Sequence, residues 1–385
     1  MLDADCLKLP ITTCHPTADE KSILLNIIWD LKSPKANSLD IDPYLEYYAQ
    51  QCHIFGLEQS DCLPADGSPE FEIVAHRDIL CVIQSLAAES RDRPDVVQNL
   101  PALRPPRVDE KGSTGRQDSA PNNRVINNAI DWAARLLTMM DIGQPHCAYS
   151  AQRPLLWDKG SLRGFVSSHF EPPRQSAGIV RLPKIFNARN LELLAGIKVA
   201  WTNNLSDHLR LRDDDKEVLI FHHATFLEHG RTYHTHHLPN HSTQKLIVSH
   251  SDMFPPGFCK ETLRTLSLLL PSSDKATAKW YKRQRSLENL DGRATKLPQL
   301  RTDDRQIENF HFWRERLVIL KQVFDEAEPS TLSQWWHDRR KGPQWYTFWV
   351  AVAVLALTVF FGIVQSVEGA MQVYRAYHPG GPEEH

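Results

Sequence analysis

The sequence predicts a mainly α-helical protein with a small α+β segment and one C-terminal transmembrane helix. Three observations carry that reading. From Gly342 to Val367 there is no Asp, Glu, Lys or Arg, and residues 345–367 read WYTFWVAVAVLALTVFFGIVQSV. About 20 apolar residues at ~1.5 Å each cross the ~30 Å hydrocarbon core of a bilayer. Elsewhere apolar residues recur three and four apart, the period of helices packed on a core. The region 196–221 alone reads as strands joined by a polar turn.

The composition sets the bounds. A chain of 385 residues has room for two or three compact units. A net charge of −3 gives no global pull toward nucleic acid or acidic membrane. The seven cysteines Cys6, Cys14, Cys52, Cys62, Cys81, Cys147 and Cys259 form no CxxC pair. An odd, scattered set is no disulfide framework and reads as reduced thiols facing a cytosol. The first thirty residues lack the basic and apolar regions of a signal peptide.

Residues 1–90 are expected to hold a small helical N-terminal unit. In 43–57, Leu45, Tyr48, Cys52 and Phe55 fall on one helical face. In 71–88, Ile79, Val82, Ile83 and Leu86 repeat that spacing. Residues 91–124 are rich in proline and charge and read as a disordered linker. An α+β body is expected over 125–300. It opens with a helix over 125–142, capped by Asn122 or Asn123, whose face is Ile126, Ala129, Ile130, Ala133, Leu136, Leu137 and Met140. Short helices are expected over 161–170 and 185–194. A strand over 196–202 and a hairpin over 208–221, turning at Asp213–Lys216, come next. Helix, helix, strand and hairpin is a winged-helix-like order. The acidic hairpin tip repels phosphate, so such a domain would bind protein rather than DNA.

Further helices are expected over 261–270 and, capped by Ser272 or Ser273, over 274–284. A long amphipathic helix is expected over 303–327, with Asp303 and Gln306 as a capping box. Its stripe is Ile307, Phe310, Trp313, Leu317, Leu320 and Phe324, which suits either the protein's own core or a coiled-coil seam. Pro329 stops it. In 329–344, Trp335 and Trp336 stand beside Arg339, Arg340 and Lys341, an aromatic and basic membrane approach. Trp345, Tyr346 and Trp349 continue that belt, and Tyr374 and Tyr377 form a second one beyond the span.

The run from Phe310 to Tyr377, containing WWHDRRKGPQWYTFWVA and FFGIVQSVEGAMQVY, resembles the C-terminal signature of a large family of uncharacterised fungal proteins. The segments ETLRTLSLLLPSSDKATAKW and WTNNLSDHLRL are also similar to that family, so the resemblance covers roughly residues 125–378. It implies a single C-terminal span and no particular activity, and no functional residue is carried over from it.

Flanking charge orients the span. Arg339, Arg340 and Lys341 precede it, and Arg375 stands alone within fifteen residues after it. The positive-inside rule then places the N-terminal body in the cytosol and the distal tail, 368–385, on the far side. So short a tail suggests post-translational, tail-anchored insertion, with the endoplasmic reticulum as the default membrane. A glycan on either formal sequon, at Asn204 or Asn240, would invert this topology.

Eight histidines fall between positions 222 and 250: His222, His223, His229, His234, His236, His237, His241 and His250. Their first reading is a polar surface loop. His234, His236, His237 and His241 are the candidate metal ligands, with zinc as the metal, because imidazole is a common transition-metal ligand. Neither HEXXH nor HxHxDH spacing occurs, and no cysteine neighbours the cluster. GxGxxG, GxxxxGK[ST] and GxSxG are also absent. The favoured reading is a membrane-anchored interaction or adaptor body with cytosolic protein partners, more an assembly component than an enzyme. The alternative is a metal-dependent enzyme or metal-binding protein using the histidines.

Thr358, Gly362, Ser366 and Ala370 recur every four residues within and just past the span. Small residues at that spacing let helices approach closely in lipid, either in a homo-oligomer or against another membrane helix. Gly362→Ile is therefore expected to abolish association of the span in a membrane two-hybrid assay, and an unchanged signal would count against the face.

Overall fold

The computed structural model describes residues 40–60, 76–87, 92–99, 123–143, 154–172, 180–229, 253–328, 334 and 342–378. The described part of the chain is mainly helical, with one three-stranded sheet and one long apolar helix at its C-terminal end. It divides into two compact units. One runs essentially to Glu326 and the other holds the C-terminal helix.

The first unit is built round α4 (Asn123–Thr138), which comes after α1 (Asp42–Ser60), α2 (His76–Ala87) and α3 (Arg93–Asn99). Sequence periodicity gives α4 one apolar face, yet nearly every residue from Ile126 to Met140 is buried. The polar residues on its other face are absorbed by specific partners. Asp131 takes Arg93 Nη1 at 2.5 Å, and Arg135 Nε donates to the Ile142 carbonyl at 2.7 Å. Its C-terminal carbonyls, which a helix cannot satisfy internally, accept phenol hydroxyls from α1. Tyr44 reaches Leu136 O at 2.9 Å and Tyr47 reaches Arg135 O at 3.1 Å. Phe55 stacks on Trp132, with ring centroids 4.3 Å apart.

The helices α1 and α2, expected in a small N-terminal unit, fall in the first compact unit together with Ile197–Glu326. The expected linker does not begin at 91. Residues Arg93–Asn99 form a helix, and Arg93 is buried, bonded to Asp131, Asn127 and the Trp157 carbonyl. Charge and proline next to it disguise an arginine that the core uses. Residues 100–122 lie outside the described set.

Next come α5 (Leu162–His169), capped by the Ser161 hydroxyl, and α6 (Ala188–Ala195). The sheet has the order β1-β3-β2, with β1 (Lys198–Thr202) parallel and β2 (Arg210–Arg212) antiparallel to the central β3 (Glu217–Phe221). Every residue of β3 is buried. A winged-helix sheet is antiparallel throughout, so the parallel β1–β3 pairing departs from that expected order. The β2–β3 turn is tight, with Asp213, Asp214 and Asp215 all at positive φ. Glu217 anchors its base between Lys198 Nζ at 2.7 Å and Arg212 Nη2 at 3.4 Å.

After α7 (Ala224–His229), α8 (Phe258–Leu269) carries the second half of the core. Phe258 lies 4.2 Å from Phe170 and 5.5 Å from Trp313, centroid to centroid. Helix α9 (Lys275–Glu288) is capped by Asp274, which accepts from Ala276 N at 3.0 Å, and not by the serines before it. Asn289 ends it at φ 45°, the left-handed stop that asparagine tolerates.

The expected long helix over 303–327 is replaced by two 3-10 turns, Asp303–Arg305 and Ile307–Asn309, and then α10 (Arg314–Glu326). The break has a cause on α8. Both oxygens of Glu261 are bonded to the chain ahead of α10, accepting from His311 N at 2.8 Å, Phe312 N at 2.8 Å and Trp313 N at 2.9 Å. Trp313 Nε1 then donates to Thr262 Oγ1 at 2.8 Å. The stripe Ile307, Phe310, Trp313, Leu317, Leu320 and Phe324 is completely buried in this unit, so it is core and not a coiled-coil seam.

Glu261→Ala would leave three backbone donors without their acceptor, at a cost of about 2–4 kcal/mol. Glu261→Gln keeps one accepting oxygen and should lose less. Chemical unfolding of the full chain in mild detergent, monitored by tryptophan fluorescence, reads the difference.

Candidate functional site

The second unit consists mainly of α11 (Gly342–Tyr377), whose 33 residues Trp345–Tyr377 are long and apolar enough to cross a membrane. None of its most apolar window is buried by protein. A core helix of a soluble domain would have that face covered, whereas Phe360, Phe361, Ile363 and Leu355 are each more than half exposed here. Pro343 sits in the first turn, where a missing N–H costs nothing.

The aromatic residues mark a length. Trp345 and Tyr374 are 29 residues apart in one helix, about 43 Å at the α-helical rise. That matches the ~40–45 Å of a bilayer with its headgroups. Of the expected interface residues, Tyr346, Tyr374 and Tyr377 are exposed and Trp345 and Trp349 half-buried. Trp335, Trp336, Arg339, Arg340 and Lys341 lie outside the described residues.

Thr358, Gly362, Ser366 and Ala370 all fall on α11. Each four-residue step turns about 40° round the axis, so they form an inclined ridge rather than a straight line. Thr358 Oγ1 donates to Val354 O at 2.8 Å and Ser366 Oγ to Gly362 O at 2.8 Å. Both hydroxyls are therefore satisfied inside their own helix, as an apolar medium demands. A Cβ at Gly362 would meet nothing within 4 Å.

The histidines divide. His234, His236, His237 and His241 lie outside the described residues. His222 and His223 do not belong to a surface loop. They are buried just after β3, with rings stacked 4.0 Å apart, and both Nε2 atoms meet Asn203 Oδ1, at 3.1 and 2.8 Å. His222 Nδ1 also accepts from Asp291 N at 3.4 Å. His208, beside them on the strand side, is fully buried. Its Nδ1 accepts from Phe221 N at 3.1 Å, and its Nε2 pairs with Thr265 Oγ1 at 2.7 Å. Burial holds His208 and His222 down to about 3 and His223 well below the ordinary value, so all three rings are neutral. Both nitrogens of His208 and of His222 already have protein partners, which leaves no lone pair for a metal. Among the described residues no group of three or more His, Cys, Asp or Glu could hold a metal ion.

Asn203 and His208 lie in the WTNNLSDHLRL segment, but neither belongs to a catalytic or binding motif, and their roles come from partners in distant parts of the chain. A usable signal was the strand pattern ending at Phe221, because a parallel-paired central strand is buried and carries the residues after it inward. No protein-family model, no curated protein and no solved structure matches the chain.

His208 offers a pH test with a defined sign. Its folded pKa lies below its unfolded value, so the stability it contributes is full above about pH 6.5 and is lost as pH falls toward the folded value. Relative to a His208→Gln variant, the wild type should lose about 1.4 kcal/mol per pH unit between pH ~6.5 and ~4. Parallel denaturant titrations across that range would show it, and a constant difference would mean that His208 is solvated.

Proposed function

We propose that the protein is a single-pass, tail-anchored membrane protein whose folded unit stands in the cytosol as an interaction body. The observation that carries this reading is α11, an apolar helix long enough to cross a bilayer whose most apolar window is left uncovered by protein. Sidedness draws on the Arg339, Arg340 and Lys341 cluster ahead of the helix against the single Arg375 near its end. Two features of the folded unit support the same side. Cys259 is a buried thiol with no disulfide partner among the described residues, as a reducing compartment favours. The side chain of Asn204, within a formal sequon, is committed to the fold: Oδ1 accepts from Ser206 N at 3.1 Å and Nδ2 donates to Asp207 Oδ2 at 2.9 Å. A glycan there would take one of the two Nδ2 hydrogens and crowd the second bond.

Kinship with the fungal membrane-protein family, carried by the residues about the span, belongs to the same proposal.

The full chain expressed in cells should remain in the membrane pellet through alkaline extraction. A glycosylation acceptor fused after His385 should be modified, and one fused before Met1 should not. Release by alkali would remove the anchor, and the opposite glycosylation pattern would invert the body into the lumen.

A further inference from the structure

A groove of about 530 Å³ opens in the first unit between the start of α6, the α8–α9 connection and the 3-10 turn at Asp303–Arg305. Its size is that of a small-molecule site. Pro183, Ile185, Leu268 and Pro271 give it apolar walls, and Lys184 and Arg305 give it positive charge.

Arg305 is the unusual member. It is 8% exposed, yet no carboxylate lies within ion-pair distance of it among the described residues. Its guanidinium makes two long bonds, Nε to Arg301 O at 3.4 Å and Nη2 to Thr302 Oγ1 at 3.5 Å. Other sheltered cations have closer partners. The buried Arg93 has Asp131 at 2.5 Å, and the half-buried Arg316 has two carbonyls on Nη1, at 2.6 and 2.7 Å. A buried charge without a counter-ion is costly, so a fold that keeps one points to an anion supplied from outside. The backbone holds Arg305 in place, since its carbonyl accepts from Leu182 N at 3.0 Å and Ile307 N donates to Val180 O at 3.0 Å.

Asp274, the acid in the groove wall, is already engaged. It accepts from Ala276 N at 3.0 Å and Thr277 Oγ1 at 2.6 Å as the cap of α9. Those bonds direct its charge into the helix end, while Lys184 is exposed and unpaired among the described residues. The charged donors of the groove are Lys184 and Arg305, beside the neutral Ser273 and Gln299.

We propose that this groove binds a small organic oxyanion, a carboxylate or a phosphate monoester, with its oxygens on Arg305 and Lys184 and its carbon skeleton along Ile185, Leu268 and Pro271. A guanidinium fork matches either oxyanion geometrically, and two cations favour a doubly charged one.

The test uses the full chain in detergent micelles with two probes, glycerol 3-phosphate and glutarate, by titration calorimetry and thermal unfolding. At least one probe should bind saturably in the millimolar range or tighter and raise the unfolding temperature, and salt should weaken it. The two arms tell phosphate from carboxylate. Arg305→Gln and Lys184→Glu should each weaken binding at least about tenfold. If Arg305→Gln fails to fold, Lys184→Glu decides, because Lys184 is exposed. Failure of both probes to saturate, or wild-type affinity in Lys184→Glu, overturns the proposal. Neither result bears on the membrane anchor.

Discussion

The carboxylate of Glu261 is the point on which the second half of the folded unit depends. It sits on α8 and receives the three backbone donors that open α10. That geometry sets where α10 begins and turns Trp313 onto Thr262, among Phe170, Phe258 and His208. Burial raises the Glu261 pKa, while the three N–H groups oppose that shift by stabilising the charged form. An acid that receives three amides is better regarded as the cap of a helix than as a stray charge in a core.

A similar economy governs the first half. Helix α4 is surrounded, and surrounding a helix means satisfying both its ends and its polar face. Phenols from α1 meet its last carbonyls, and Arg93 meets Asp131. The N-terminal stretch is held again at its start. Asp40 receives Arg285 Nη2 and Gly292 N, both at 2.7 Å, which ties the entry to α1 to the end of α9. Long-range polar bonds of this kind merge what reads as a separate helical unit into one body.

Local periodicity made most helices legible. The stripe from Ile307 to Phe324 was correctly a set of core positions, but its spacing of three and four fits successive 3-10 turns as well as an α-helix. The partner that breaks the element, Glu261, stands some fifty residues away, where no local pattern reaches. The same limit hid Arg93, whose surroundings of proline and charge look unfolded, and hid Asn203. Histidine density pointed to a surface loop, yet His222 and His223 come directly after a buried strand and inherit its burial. Composition reports what a segment contains, and the strand before it decides where the segment goes. The apolar helix was legible at its start, Trp345, because its signal is a sum over its own sequence and needs no partner, but it runs on past the expected end at Val367 to Tyr377.

One detail of that helix bears on how another helix would meet it. Thr358 and Ser366 have each spent their single proton on a carbonyl one turn back. Along the ridge they share with Gly362 and Ala370 they present methyl, methylene and bare oxygen to a neighbour, with no donor to offer. Fidelity between partners on such a surface comes from relief, the fit of bumps into a shallow trough. It would tolerate a change of polarity far better than a change of size.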